Sequence, residues 1–68
     1  MKLSARNMFK GKVVGLKTGP IMASVKVDIG GGNVVTALIS SDAVTELGLA
    51  EGVDASVIVK ATEVMIAK

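Results

Sequence analysis

The chain has 68 residues, half of them apolar, with one aromatic side chain (Phe9), no cysteine or histidine, and eight basic against six acidic groups for a formal charge of +2. That length allows one domain, spanning residues 1–68, near the lower limit for independent stability; with no disulfide and no obvious structural metal, association of copies is the expected source of the missing stability. The mild charge is too sparse for the basic face of a nucleic-acid binder, Met1-Lys2-Leu3-Ser4 lacks the apolar run of a signal peptide, and no window reaches the ~18 apolar residues of a membrane span, so a soluble, cytoplasmic protein is expected.

Ahead of the first strand-like run stands a polar cluster, Ser4-Ala5-Arg6-Asn7. An arginine flanked by hydrogen-bonding side chains, with backbone amides between them, supplies charge and directional donors suited to a small anion. Taken alone, a polar lead-in is more often a solvated end. From Met8 to Leu16 a strand is expected: Phe9, Val13, Val14 and Leu16 interleave with Lys10 and Lys12. Gly11 and Gly15 interrupt it, marking bulges or the sharp coiling a small barrel needs at a corner. Lys17-Thr18-Gly19-Pro20 reads as a turn.

Ile21, Ala23, Val25, Val27 and Ile29 then alternate with Met22, Ser24, Lys26 and Asp28. This strict period of two puts one apolar face on a core. Gly30-Gly31-Gly32-Asn33 supplies a turn able to take positive φ, and Val34 to Ser40 returns as the second arm of a hairpin. A glycine run between two strands is the wrong context for a phosphate loop, which sits between a strand and a helix. Ser41 to Gly48 reads as a short helix: Ser41 or Asp42 caps its start, Val44 and Leu47 share an apolar face, and Gly48 fits the left-handed C-terminal position. After the turn Leu49-Ala50-Glu51-Gly52, Asp54 to Lys60 forms a fourth strand rich in β-branched residues, and Val64 to Ala67 a fifth. The expected fold is all-β, a five-stranded barrel of the oligonucleotide/oligosaccharide-binding (OB) type with one short helix between strands 3 and 4. An SH3-like barrel is the alternative, which explains the position of the helix less well.

Catalysis is not expected, because the chain offers no histidine or cysteine and its carboxylates fall at turns, helix surfaces or outward strand positions. Single-stranded nucleic acid needs aromatic stacking platforms, which Phe9 alone does not provide. What remains is a set of polar residues at strand ends that could converge on a small oxyanion. Arg6 and Lys60 bring positive charge; Ser4, Asn7 and Ser40 bring neutral donors; and Ser40 precedes the helix start, where free amides and the dipole favour an anion. A tetrahedral dianion held this way is recognised by size and donor count, with no protein atom bonded to its central metal.

Ser4-Ala5-Arg6-Asn7 with Gly11, Thr36-Ala37-Leu38-Ile39-Ser40, Leu47-Gly48-Leu49 with Glu51-Gly52, and Val59-Lys60-Ala61-Thr62 with Val64-Met65 together resemble the molbindins, small molybdate-binding proteins of the transport-associated OB (TOBE) family. The resemblance covers essentially the whole chain. It implies a hexamer, a trimer of dimers, holding molybdate or tungstate at subunit interfaces for intracellular storage or homeostasis, with no catalytic cofactor, no nucleic-acid partner and no membrane. It assigns the oxyanion to Ser4, Arg6, Asn7, Ser40 and Lys60, with backbone amides of Ala5 and Ala61. Family members often carry a serine where this chain has Ala43, and the family has a second kind of site near the three-fold axis to which no residue here is assigned. A sensing or interaction module with a nucleic-acid or protein partner is the alternative.

Overall fold

A computed structural model describes residues 6–68. The elements follow in the order β1 (Asn7–Thr18), β2 (Met22–Gly30), β3 (Asn33–Ser40), α1 (Ser41–Leu47) and β4 (Asp54–Val59), and a single 3-10 turn covers Ala61–Glu63. The strands form one antiparallel sheet in the order β3-β2-β1-β4. This is an OB-like arrangement, but the sheet is open, with β3 and β4 as its edges.

The alternation in β2 sets the core. Ala23, Val25 and Val27 are buried on one face and join Val13 of β1 and Val44 of α1, with Leu16, Ile29, Ile39, Leu49, Ala55 and Val57 packed around them. Ile21, counted by the alternation as the first core residue, lies instead in the turn before β2 and is 75% exposed. Gly19 N–H donates to Met22 O at 2.9 Å and closes that turn one residue later than the pattern suggests. Lys17 and Thr18, read as turn residues, remain in β1 and pair with Ser24 and Ala23.

Two local features coil β1. The register slips between Val13 and Gly15, so Val14 bulges out and both Val13 and Leu16 face the core despite their odd spacing. At Gly11 the strand passes so close to the end of β2 that a Cβ would collide with the Asp28 carbonyl oxygen and lie 2.7 Å from Val27 Cγ1. The β2–β3 hairpin turns through Gly31 (φ +63°) and Gly32 (φ +79°), two successive positive-φ positions of the kind a tight two-residue hairpin needs. Asp28 Oδ1 accepts from Gly30 N–H at 2.8 Å and Asn33 Nδ2 donates to Gly30 O at 3.2 Å, fastening the turn from both arms.

Three expectations need correction. Among the described residues there are four strands, not five: Val64 to Ala67 pairs with nothing, and Met65 and Ile66 are 93% and 89% exposed. A strand exists only where an edge receives it, and β-branched composition cannot supply that edge. The barrel is therefore not closed within the chain. In the helix, Ser40 is the N-cap rather than Ser41 or Asp42, and Leu47 is exposed, so that Val44 alone of the expected pair is buried. Gly48 does hold the left-handed position, at φ +64°.

The open sheet leaves its mark on the surface. The chain exposes 5432 Å², whereas a folded monomer of 6.9 kDa exposes ~4,000 Å². Its radius of gyration is 12.4 Å, against about 11 Å for a compact domain of this length. Among the described residues no helix is long and apolar enough to cross a membrane.

Candidate functional site

Of the residues expected to hold an oxyanion, Arg6, Asn7, Lys60 and Ala61 are neighbours. Asn7 is the first residue of β1 and pairs with Val59, the last of β4, and its half-buried side chain donates from Nδ2 to Val59 O at 3.1 Å. That bond fixes the amide plane, leaving its second N–H and Oδ1 for another partner. Arg6 precedes Asn7 and Lys60 follows Val59, so the register carries both cations to the same end of the β1–β4 ribbon, where both are exposed. The 3-10 turn begins immediately after Lys60, with Glu63 N–H donating to Lys60 O at 2.8 Å. Ser4 and Ala5 lie outside the described residues.

Ser40 is elsewhere. It ends β3, pairs with Met22 at the start of β2, and is exposed. Its Oγ accepts from Ala43 N–H at 3.0 Å, which caps α1 and leaves the hydroxyl proton to donate outward. Two of the amides that the helix start was expected to offer an anion are already engaged, Ala43 N–H by Ser40 Oγ and Ser41 N–H by Ile21 O at 2.8 Å. The donor that this end presents is thus the Ser40 side chain more than the helix amides.

The two groups lie at opposite ends of the sheet, Ser40 on the β3 edge and the other group where the start of β1 meets the end of the β4 edge. β1 begins at Asn7 and ends at Thr18, beside Ala23 and so next to the Met22–Ser40 pair; its 12 residues carry roughly 40 Å of extended chain before coiling. The sequence reading had these side chains converging at a subunit interface; within one chain Arg6, Asn7 and Lys60 share one end of the β1–β4 ribbon and Ser40 stands apart. Two concavities of this subunit lie away from both groups. One, of about 640 Å³, is lined by Lys10, Lys12, Asp28, Asp54 and neighbours; another, of about 490 Å³, by Lys17, Ser24, Lys26, Glu51 and neighbours. In the first, Lys12 Nζ and Asp54 Oδ1 stand 3.8 Å apart, both well solvated.

One residue that the sequence offered only as a helix cap has another part here. Ser41 Oγ donates to Gly19 O at 2.7 Å while its own amide donates to Ile21 O, tying the start of α1 to the β1–β2 turn directly behind Ser40. The only sequence signal was the doubling of serine at Ser40-Ser41, which offers one hydroxyl for the cap and one for the tie.

The chain is similar to known proteins over nearly its whole length. The family model described as TOBE domain matches residues 3–66. Molybdenum-pterin-binding protein 1 of Clostridium pasteurianum is 54% identical over 66 residues, 97% of either chain. The solved structure of a molybdate-binding protein from Sporomusa ovata superposes with a TM-score of 0.93 at 35% identity, covering 100% of both chains. The structure of the cytoplasmic molybdate-binding protein ModG, with molybdate bound, superposes with a TM-score of 0.91 at 40% identity over 96% of this chain and 46% of that one.

Proposed function

The chain belongs to the TOBE domain family, and we propose that it is a molybdate-binding subunit, a binding module rather than an enzyme, which holds the oxyanion between copies of itself. The observation that carries this reading is its full-length likeness to a solved molybdate-binding protein. The chemistry at the Asn7–Lys60 end suits the ligand: two cations and an oriented amide meet a dianion whose four oxygens are all acceptors. The relatives' names also mention a pterin. Phe9 is the chain's one aromatic ring, a single stacking surface for such a ligand, and the reading rests on the oxyanion.

Tungstate shares the charge and shape of molybdate and is taken as a second ligand. The role is storage or buffering of the oxyanion inside the cell, in keeping with the cytoplasmic ModG. The assembly is a hexamer built as a trimer of dimers. An excess of about 1,400 Å² over the surface of a compact monomer is what one or two interfaces of about 800 Å² per partner would remove. In the assembled site Ser4, Arg6, Asn7, Ser40 and Lys60 act through side chains and Ala5 and Ala61 through backbone amides. Ala43 supplies no hydroxyl.

Calorimetric titration tests the assignment. Arg6→Ala and Lys60→Ala each remove a charge-assisted hydrogen bond and are expected to weaken molybdate binding by about 1.5–3 kcal/mol, one to two decades, with the assembly intact. Unchanged affinity in both variants overturns it.

A further inference from the structure

We propose a second ligand site on the solvent face of the sheet, in the cavity of about 490 Å³. There Lys17, Ser24 and Lys26 take the phosphate group of a small phosphorylated polyol or sugar, and Glu51 takes its hydroxyl groups. The site goes beyond the oxyanion reading above and shares no residue with it.

The shape of β1 builds it. The register shift between Val13 and Gly15 turns Val14 outward, where it is 48% exposed and gives the cavity an apolar wall. Gly15 then stands opposite Lys26 with no side chain of its own. Into that gap the lysine lays its stem: Cβ and Cδ of Lys26 both lie 3.4 Å from where a Cβ on Gly15 would stand. Two residues further along, Lys17 faces Ser24, so both ammonium groups and the hydroxyl belong to one face of the strand pair. Glu51, in the turn between α1 and β4, completes the lining, and Gly52 N–H fixes that turn beside the bulge by donating to Val13 O at 2.8 Å.

The charges of this cavity are left for a ligand. Among the described residues the ion pair is Lys12 with Asp54, and Lys17, Lys26 and Glu51 have none. The other cavity differs on this point, because Lys12 stands in register with both Asp28 and Asp54 and its charge is met by the protein. Two cations beside a hydroxyl suit a phosphate dianion, whose terminal oxygens all accept. A carboxylate only accepts, so Glu51 favours a ligand whose body carries donors. The volume also calls for a body: small-molecule sites occupy ~300–1,000 Å³, of which a bare tetrahedral ion fills a fraction. No aromatic ring lines the cavity, which fits an aliphatic polyol and not a stacked heterocycle.

Titration of isotopically labelled full-length protein with glycerol phosphate, followed by amide chemical shifts, tests the site. Saturable shifts are expected from Val14 to Lys17, from Ser24 to Lys26 and at Glu51, with inorganic phosphate at least ~fivefold weaker and glycerol without effect. Lys26→Ala is expected to weaken glycerol phosphate at least ~tenfold. Glu51→Ala should erase the preference for glycerol phosphate over inorganic phosphate. Both side chains are exposed, so both variants should fold and bind molybdate as the wild type does. Absence of saturation, shifts spread equally over Lys10 and Lys12, or unchanged affinity in Lys26→Ala overturns the site. Inorganic phosphate binding as tightly as glycerol phosphate overturns the polyol assignment. Loss of molybdate binding in Lys26→Ala overturns the separation of this cavity from the oxyanion site.

Discussion

The two halves of β1 live in different surroundings. From Val13 to Thr18 the strand pairs with β2 and contributes Val13 and Leu16 to a core that Ala23, Val25, Val27 and Val44 complete. From Asn7 to Gly11 it pairs with β4 alone, as a two-stranded ribbon whose ring, Phe9, is 43% exposed. A ribbon of two strands is marginal by itself in water. One half therefore holds the subunit together, and the other half, which carries Asn7 and lies beside Arg6 and Lys60, adds no buried side chain to that core.

The seam between the halves is Gly11, and breaking it should have the largest effect. Gly11→Ala forces a methyl group against the Asp28 carbonyl and is expected to cost about 3 kcal/mol of subunit stability by urea denaturation. A cost below about 1 kcal/mol would mean that the close approach is not what couples ribbon to core. Next come paired truncations. Val25→Ala, at a side chain 3% exposed, is expected to cost about 2–3 kcal/mol. Phe9→Ala removes more carbon but should cost the subunit only about 1 kcal/mol, its larger effect appearing as a thermal midpoint more dependent on protein concentration. Equal costs with no concentration dependence would erase the distinction.

Ser40 allows stability and binding to be separated. Ser40→Ala loses the bond to Ala43 N–H and is expected to cost ~1 kcal/mol of stability as well as affinity. Ser40→Asp keeps a capping oxygen, so unfolding should move by a few tenths of a kcal/mol, whereas a carboxylate facing a dianion should weaken molybdate binding beyond the alanine variant. Binding by Ser40→Asp at wild-type strength would remove Ser40 from the site. The smallest effect is expected from Lys12→Ala, whose ion pair with Asp54 is solvated and 3.8 Å long; a change above about 0.5 kcal/mol would be a surprise.

The core half was legible in the sequence because its determinants are local. Period-two alternation from Ala23 to Ile29 and the glycine pair at the hairpin tip each specify backbone and burial without reference to distant chain. The fifth strand was not, since Val64 to Ala67 has the composition of a strand but pairs with neither edge of the open sheet. The helix cap was ambiguous for a related reason: Ser40, Ser41 and Asp42 are all good caps, and the choice is made by Gly19 and Ile21, some 20 residues upstream, which claim Ser41. For the candidate site, the sequence names residues but not which of them the fold brings together. Asn7 and Lys60 are brought together by the β1–β4 register, and the same register sends Ser40 away. No pattern within a few residues encodes either fact.

The tie from Ser41 to the β1–β2 turn bears on how an ion is met. Ser40 is held in front by Ala43 N–H and from behind through Ser41, whose amide and hydroxyl are both anchored to the turn. Its backbone and its oxygen are therefore fixed when the chain folds, long before a ligand arrives. The entropy of ordering this donor is lost in folding, so little of it needs to be lost again at the interface. In the proposed site a hydroxyl immobilised in this way would resist adapting to a smaller anion, so that the rigidity that caps a seven-residue helix would serve as a gauge of ligand size.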